Sequence, residues 1–314
     1  MDRKLTYSIN KQFEGFTVGN YLKAINYSSQ LISNQKHFED GIMLNNKRAY
    51  VSEPVREGDE ITVNIHEISS SEKIPPVNLP LDILYEDEDL IIINKPLDMP
   101  VHPSFNNYTN TLANGLMYYY ENKGMKFVYR CMNRLDRNTT GAVLVAKNPL
   151  SAYLLSSMIK ERSINKEYIA VVDGDISLYS NNLSQIESNN NNIFTIDLPI
   201  ARADNSSIER CINYEKGERA VTHVKVLDIL KSENKSVVSC ELETGRTHQI
   251  RVHMSGIGYP LVGDGLYNEK YKDNIMHRHL LHCAKLNFIH PISKMPVLVQ
   301  APFPDDMKKY CIRE

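Results

Sequence analysis

Five consecutive apolar residues, Ala142 to Ala146, set the strongest limit on how this chain folds. Gly141 precedes the run, and Asn148 and Pro149 follow it closely. A short apolar run with such boundaries is typical of a strand that is buried on both faces. Proline is favoured at the first position of a helix, where its missing N–H group has no partner to lose. The sequence therefore predicts a buried strand that leads into a helix.

The chain from residue 81 onward contains further strand and helix patterns. Apolar residues recur at helical spacing after Pro149, and KEYIAVVDG (166–174) predicts a strand on which Tyr168 and Ala170 share a face. DLIIINKP and VTHVKVL predict two more strands. We expect one large body over residues 81–314, in which strands alternate with helices and hairpins.

The beginning of the chain has a pattern of its own. Two short helical patterns, TVGNYLKAI and SSQLISNQKHF, are followed by short strands that are separated by the turns NNK and EGD. We therefore predict a small domain over residues 1–72. The Ser- and Pro-rich stretch that follows predicts a linker, placed at residues 73–80. Residues 177–192 are polar and Asn-rich, which predicts a long excursion or a partly disordered insertion.

Composition sets several classes of protein aside. No stretch approaches the roughly 18 uninterrupted apolar residues of a membrane helix, and the first residues lack the apolar core of a signal peptide. The five cysteines lie far apart without a CxxC pair, which is unlike a disulfide scaffold or a zinc ribbon. We expect a cytoplasmic protein without a membrane partner.

Positive and negative charges nearly balance over the whole chain, but basic residues are in excess in one region. There are 36 Lys and Arg against 38 Asp and Glu, so the total does not indicate a nucleic-acid-binding protein. Residues 120–170, however, hold nine basic residues against four acidic ones. Such a run is either a solvated surface or a cleft that attracts phosphates. Both interpretations stay open at this point.

Asp136 is the only acidic residue in the polar loop before the buried strand, and Arg134 and Arg137 lie close on either side. Two neighbouring guanidinium groups favour the ionised carboxylate. An ionised Asp can serve as a nucleophile. Asp is equally common in turns, where it accepts hydrogen bonds from backbone amides. The loop alone supports both roles.

A second polar cluster, residues 243–256, contains Arg246 and two histidines. Thr247 is placed to cap a short helix, and the amides at the start of that helix add positive potential beside Arg246. This arrangement suits a phosphate or a buried carboxylate. Six of the ten histidines lie between His248 and His290, but their spacing matches no zinc-enzyme pattern, so we expect no metal.

Three segments, in this order, resemble the signature segments of a known family: RLDRNTTG (134–141), KEYIAVVDG (166–174) and TGRTHQIRVH (244–253). The family is the pseudouridine synthases that act on large-subunit ribosomal RNA and tRNA, the Rlu group. IIINKPLDMPVHP, GYPLVGDGLY and LLHCAKLNFIHP are similar to further segments of that family. Residues 1–72 resemble a small α-L (S4-like) RNA-binding domain. The chain departs mildly at Asn133, where the family most often has His, and at Thr140, where it usually has Ser.

The resemblance implies an α+β fold, with a mixed, largely antiparallel sheet and helices packed on it, preceded by the α-L (S4-like) domain. It implies an RNA pseudouridine synthase, which breaks the N-glycosidic bond of a uridine, turns the ring and joins C5 to C1′. No cofactor is implied. The implied partner is RNA, ribosomal RNA rather than tRNA, and the protein is expected to be a monomer.

The resemblance also implies roles for individual residues. Asp136 is the catalytic aspartate, which attacks C1′, attacks C6 or promotes a glycal intermediate. Tyr168 stacks on the uracil and helps to remove the C5 proton, and Arg246 pairs with Asp136. Arg134 holds the target nucleotide once it has left the helical stack. Further contacts with RNA are expected from Arg137, Lys160, Arg162 and Arg251.

Two other functions compete with this one. A non-catalytic RNA-binding or ribosome-assembly protein could use the same fold, but binding alone does not require Asp136, Tyr168 and Arg246 together. A hydrolase with an Asp nucleophile would need a metal or an acid partner, and no such pattern accompanies Asp136 in the sequence.

Overall fold

The computed structural model describes residues 2–179, 193–204, 206–272 and 278–312. Most of the Asn-rich segment, residues 180–192, lies outside these ranges. The described strands are β1 (Arg3–Ser8), β2 (Ile42–Leu44), β3 (Lys47–Arg48), β4 (Glu60–Ile65), β5 (Asp82–Glu86), β6 (Leu90–Lys95), β7 (Arg130–Cys131), β8 (Thr140–Ala146), β9 (Asn165–Asp173), β10 (Ile193–Asp197), β11 (Ile200–Arg202), β12 (Arg210–Ile212), β13 (Val221–Leu230), β14 (Lys235–Leu242), β15 (Leu281–Ile289) and β16 (Pro296–Gln300). The described α-helices are α1 (Val18–Ala24), α2 (Ser29–Gln35), α3 (Leu112–Glu121), α4 (Pro149–Lys160), α5 (Gln249–Gly256) and α6 (Asp305–Cys311).

A small antiparallel sheet and two helices form from the first 65 residues. The strand order is β1-β4-β2-β3. Thr17 and Ser28 cap α1 and α2, since each side chain accepts a hydrogen bond from a backbone amide of the first helical turn. The apolar faces of both helices pack with the sheet into a core that also includes Leu150 of α4. The two predicted helices are confirmed, whereas the S4-like character of this region stays a prediction.

The main body is built on a ten-stranded sheet of order β10-β13-β14-β9-β15-β8-β6-β5, with β16 paired to β15 and β7 to β8. Among the described strands of this sheet, β15 and β8 form the one parallel pair. The other pairs are antiparallel. The fold is therefore α+β with a mixed, largely antiparallel sheet, as predicted. None of the described helices has the length and apolar character that crossing a membrane requires.

Strand β8 is the buried strand that the apolar run predicted, and all of its residues are buried. Gly141, directly before the run, has a φ of +107°, and a Cβ atom there would lie 2.2 Å from the carbonyl oxygen of Cys283. Only glycine fits this close approach of β8 to β15. Asn148 caps α4 and Pro149 occupies its first position, so the strand leads into the helix as expected.

The predicted linker at residues 73–80 packs against the main body. The Nδ2 atom of Asn114 donates to the carbonyl of Pro75 over 2.7 Å, and the amide of Val77 donates to the carbonyl of Asn114. The small sheet is fastened as well, because Arg3 donates from Nε and Nη2 to both oxygens of Asp89, over 2.9 and 3.1 Å. The boundaries at residues 72 and 80 stay a prediction.

Candidate active site

A cleft of about 700 Å³ crosses the middle of the large sheet. Its walls are the loop between β7 and β8, the start of β9, the end of β14 and the segment before α5. Because β14, β9, β15 and β8 are neighbours in the sheet, segments that are far apart in the sequence meet here. The three segments that carried the resemblance all contribute to the lining, with Arg134, Asp136, Tyr168, Arg246 and His248.

The loop that carries Asp136 is held from several sides. The amide of Thr139 donates to the carbonyl of Asp136, which closes a turn just before β8. Asn133 donates from Nδ2 to the carbonyl of Ala142 and accepts from the amide of Leu144. Asn133 therefore ties the loop to β8, although the family most often has His at this position.

Lys95, at the end of β6, forms hydrogen bonds with the backbone of the same loop. Its Nζ atom is buried and donates to the carbonyls of Arg137 and Pro96, each over 2.9 Å. Burial lowers the pKa of this lysine to about 7. Because Arg137 is the residue after Asp136, the buried amine fixes the backbone next to the carboxylate.

Arg251 lies between two carboxylates. Its Nε and Nη2 atoms donate to both oxygens of the buried Asp264, over 2.7 and 2.8 Å, and its Nη1 atom donates to Oδ2 of Asp136 over 3.1 Å. Burial works against ionisation of Asp264, but the hydrogen bonds from Arg251 still hold the pKa of that carboxyl below its usual value. Asp264 thus fixes the guanidinium, and the guanidinium fixes Asp136.

The prediction that Arg246 pairs with Asp136 was wrong. Arg246 instead forms an ion pair with the exposed Glu218 and donates from Nε to the carbonyl of Arg219. The contact of Arg251 with RNA stays a prediction; its side chain is only 7% exposed and pairs with both aspartates. The segment 244–253 holds both arginines, and the fold turns the second one inward.

The backbone at the start of α5 explains why Arg251, and not Arg246, contacts Asp136. Thr247 was predicted to cap the helix, but His248 occupies that position, with the left-handed φ of +59° and no side-chain cap. Gln249 holds the preceding loop, since its Oε1 atom accepts from the amide of Arg246 and from the hydroxyl of Thr244. The turn at His248 leaves Arg246 on the rim, while Arg251 lies one turn along the buried side of the helix.

Tyr168 lies on β9, opposite Cys240 of β14 and Cys283 of β15, and lines the cleft together with Asp136. The side chain is 6% exposed. Burial raises the pKa of the phenol well above its usual value of 10. The ring therefore presents a protonated, largely apolar surface to the cleft at neutral pH.

Known proteins resemble this chain over most of its length. A family model described as RNA pseudouridylate synthase matches residues 89–256. The uncharacterized RNA pseudouridine synthase YhcT of Bacillus subtilis (strain 168) is 34% identical over 309 residues, which is 98% of this chain and 97% of that protein. This chain belongs to the RNA pseudouridine synthase family. It is an RNA-modifying isomerase that converts uridine to pseudouridine.

Two further relatives extend the match. The ribosomal large subunit pseudouridine synthase D of Zymomonas mobilis is 38% identical over 286 residues, covering 85% of this chain and 84% of the relative. The solved structure of human RNA Pseudouridylate Synthase Domain Containing 1 superposes with a TM-score of 0.55 at 28% identity, covering 73% of this chain and 86% of that chain.

The other basic residues that were predicted to contact RNA lie at different places: in the cleft, on its rim or outside its lining. Arg134 lines the cleft and makes no hydrogen bond or ion pair within the described ranges. Arg137 is on the rim and donates to Asp98 over 2.5 Å. Arg162 is also on the rim and pairs with Glu243, whereas Lys160 is exposed at the end of α4 and does not line the cleft.

A second basic recess, of about 540 Å³, adjoins the cleft of the synthase beside Arg246. The hairpin of β11 and β12 and the chain after it contribute Arg202, Arg210 and Lys216. None of these three residues was predicted from the sequence. The sequence pattern of this hairpin is weak, because the hairpin is short and follows the Asn-rich segment. Only the fold shows that it lies beside Arg246.

One cluster among the described residues has the side-chain types of a metal site: Asp87, Asp89 and His290. Nδ1 of His290 accepts from the amide of Ser293, so the ring proton is on Nε2, which lies 3.0 Å from Oδ2 of Asp87. A protonated nitrogen does not bind a metal. Both oxygens of Asp89 are taken by Arg3. The protonated nitrogen and the engaged oxygens of Asp89 leave no complete ligand set in this cluster, and we assign no metal to it.

Proposed function

We propose that this enzyme modifies uridines of large-subunit ribosomal RNA and that Asp136 is its catalytic residue. The relative named pseudouridine synthase D supports this choice of RNA, since the match covers most of both chains. The observation that carries the role of Asp136 is its contact with Arg251, which is itself anchored by the buried Asp264. An arginine fixed in this way holds the carboxylate of Asp136 in one orientation in the cleft lining.

The two oxygens of Asp136 have different surroundings. Oδ2 accepts from Arg251, whereas no donor among the described residues forms a hydrogen bond with Oδ1. The side chain of Asp136 is 28% exposed and lines the cleft. We assign Oδ1 as the atom that meets the nucleotide, whether it attacks C1′, attacks C6 or promotes a glycal intermediate.

Tyr168 supplies the stacking surface for the uracil. Tyr168 lines the cleft together with Asp136, and an aromatic ring at such a place can stack on a base. We assign Tyr168 both roles that the family resemblance implied, stacking on the uracil and helping to remove the C5 proton, because it lines the cleft together with Asp136.

The basic residues on the rim serve to hold RNA. A uridine in a helix cannot present C1′ and C5 to the cleft, so the nucleotide must leave the stack and be held outside it. Arg134 is placed for this, since it lines the cleft without a protein partner in the described part of the chain. The recess with Arg202, Arg210 and Lys216 is suited to the phosphates beside that nucleotide.

Residues 1–72 are proposed as an S4-like RNA-binding domain, and the enzyme is expected to act as a cytoplasmic monomer. Light scattering of the purified protein tests the oligomeric state. Mapping of pseudouridine across ribosomal and transfer RNA, with and without the gene, tests the substrate. We expect a loss of signal confined to large-subunit ribosomal RNA, and losses confined to tRNA would contradict the proposed substrate.

A further inference from the structure

His248 occupies an unusual place between the cleft and the protein interior. It is the residue before α5, and its backbone adopts the left-handed φ of +59°. Its side chain is only 11% exposed and lies between Asp136 and Tyr267. A non-glycine residue in this conformation is uncommon, and such conformations gather at functional sites.

Hydrogen bonds determine which ring nitrogen of His248 carries the proton. The backbone N–H of Arg210 donates to the hydroxyl oxygen of Tyr267 over 2.9 Å. The hydroxyl proton of Tyr267 is then free to point at Nδ1 of His248, which lies 2.8 Å away. Among the described residues, Nδ1 is the one acceptor within reach of that hydroxyl proton. We therefore assign Nδ1 as the acceptor and place the proton of the neutral ring on Nε2. Burial lowers the pKa of His248, which agrees with a neutral ring.

The remaining N–H group faces the reacting carboxylate. Nε2 of His248 lies 3.8 Å from Oδ2 of Asp136, the same oxygen that accepts from Arg251. Contacts of this length in a free enzyme often shorten when the substrate is bound. Two donors would then hold Oδ2, one from each side, and leave Oδ1 turned toward the nucleotide.

We propose that His248 is a positioning residue for the isomerisation, which orients Asp136 through Nε2–H and is held in this tautomer by the hydroxyl of Tyr267. The proposal rests on the role of Asp136 proposed above. The first link of the chain, the amide of Arg210, belongs to the hairpin that lines the basic recess. The RNA-facing hairpin is thereby joined to the catalytic carboxylate through two side chains.

The first experiment compares two substitutions of His248. Asn tolerates left-handed φ values and can reach Tyr267, but it is too short to reach Asp136. The side-chain amide of Gln extends further and can supply an N–H group near the place of Nε2. We expect His248→Asn to lower kcat roughly 10- to 100-fold, the loss that follows from about 1 Å of misplacement, with RNA affinity within about threefold of wild type. His248→Gln should recover part of kcat.

The second experiment removes the hydroxyl that sets the tautomer. Tyr267→Phe should lower kcat severalfold without weakening RNA binding. Tyr259→Phe is the matched control, because Tyr259 is in the same segment of the chain and its hydroxyl makes no hydrogen bond within the described residues. Long-range ¹H–¹⁵N NMR of the histidine rings, assigned with His248→Asn, reads the tautomer directly. We expect Nε2–H in the wild type and a mixture in Tyr267→Phe.

Asp136→Asn is measured in parallel, which separates the two proposals. An inactive Asp136→Asn together with full kcat in His248→Asn would overturn the role of His248 alone. An Nδ1–H tautomer in the wild type would overturn it as well. An active Asp136→Asn would instead show that the role of Asp136 itself is wrong.

Discussion

Arg251 reaches the carboxylate of Asp136 over 3.1 Å, although the two residues lie 115 positions apart in the sequence. Asp264 makes this contact possible, because it holds the other two donor atoms of the guanidinium in a bidentate pair. The carboxylate that we propose as catalytic is thus oriented by a buried charged group. Arg134, which lines the cleft without a hydrogen bond or ion pair within the described ranges, remains available for the substrate.

Arg251→Ala should destabilise the synthase strongly. The substitution leaves two carboxylates without their partner, and breaking a buried ion pair in this way costs about 3–5 kcal/mol. Arg246→Ala is the matched control, because its partner Glu218 is exposed and surface pairs contribute at most about 1 kcal/mol. Urea unfolding measures both. Equal destabilisation by the two variants would refute the assignment of Arg251.

Gly141→Ala should disrupt the sheet under the active site. The added methyl group would lie 2.2 Å from the carbonyl oxygen of Cys283, and the φ of +107° is itself strained for alanine. We expect a loss above about 3 kcal/mol in the free energy of unfolding. Gly245→Ala serves as the control, since a Cβ atom there meets nothing within 4 Å. A wild-type melting temperature for Gly141→Ala would mean that β8 and β15 do not approach this closely.

Two buried histidines should make the enzyme sensitive to acid. Burial lowers the pKa of His279 to about 3 and that of His282 to about 4, against about 6.5 in an unfolded chain. Below pH 6.5 the unfolded chain therefore binds more protons than the folded one, so the free energy of unfolding falls as pH decreases toward 4. Each histidine contributes up to about 1.4 kcal/mol per pH unit.

His282→Gln should flatten this dependence, whereas substitution of the exposed His37 by Gln should not. Unfolding by urea between pH 7.5 and 4.5 provides the comparison. The assignment of neutral buried histidines fails if the two variants show the same slope as the wild type.

The basic recess should account for part of the salt dependence of RNA binding. Arg202→Gln combined with Lys216→Gln removes two positive side chains that line it. Each lost phosphate contact lowers the slope of log affinity against log salt by about 0.7–0.9. We expect the double variant to lose about 1.4–1.8 from the slope, measured by filter binding of a ribosomal stem-loop. Lys160→Gln, which lies outside the cleft lining, should leave the slope unchanged.

The features that the sequence predicted correctly are local ones. The buried run of β8 and the start of α4 at Pro149 follow from neighbouring residues, and both are present. The residues around Arg246 and Arg251 in the sequence do not show which of the two arginines pairs with Asp136. It depends on the left-handed turn at His248 and on Asp264, which approaches from a different segment. The recess around Arg202 was missed for the same reason, because tertiary packing places the hairpin there.

The role of Asp136 is tested most directly by single-turnover release of tritium from RNA that carries [5-³H]uridine. Asp136→Asn keeps the size of the side chain and removes its charge and most of its nucleophilicity. We expect no tritium release above background from this variant, while its affinity for the same RNA stays within about tenfold of wild type. Release at a rate close to that of the wild type would contradict the account.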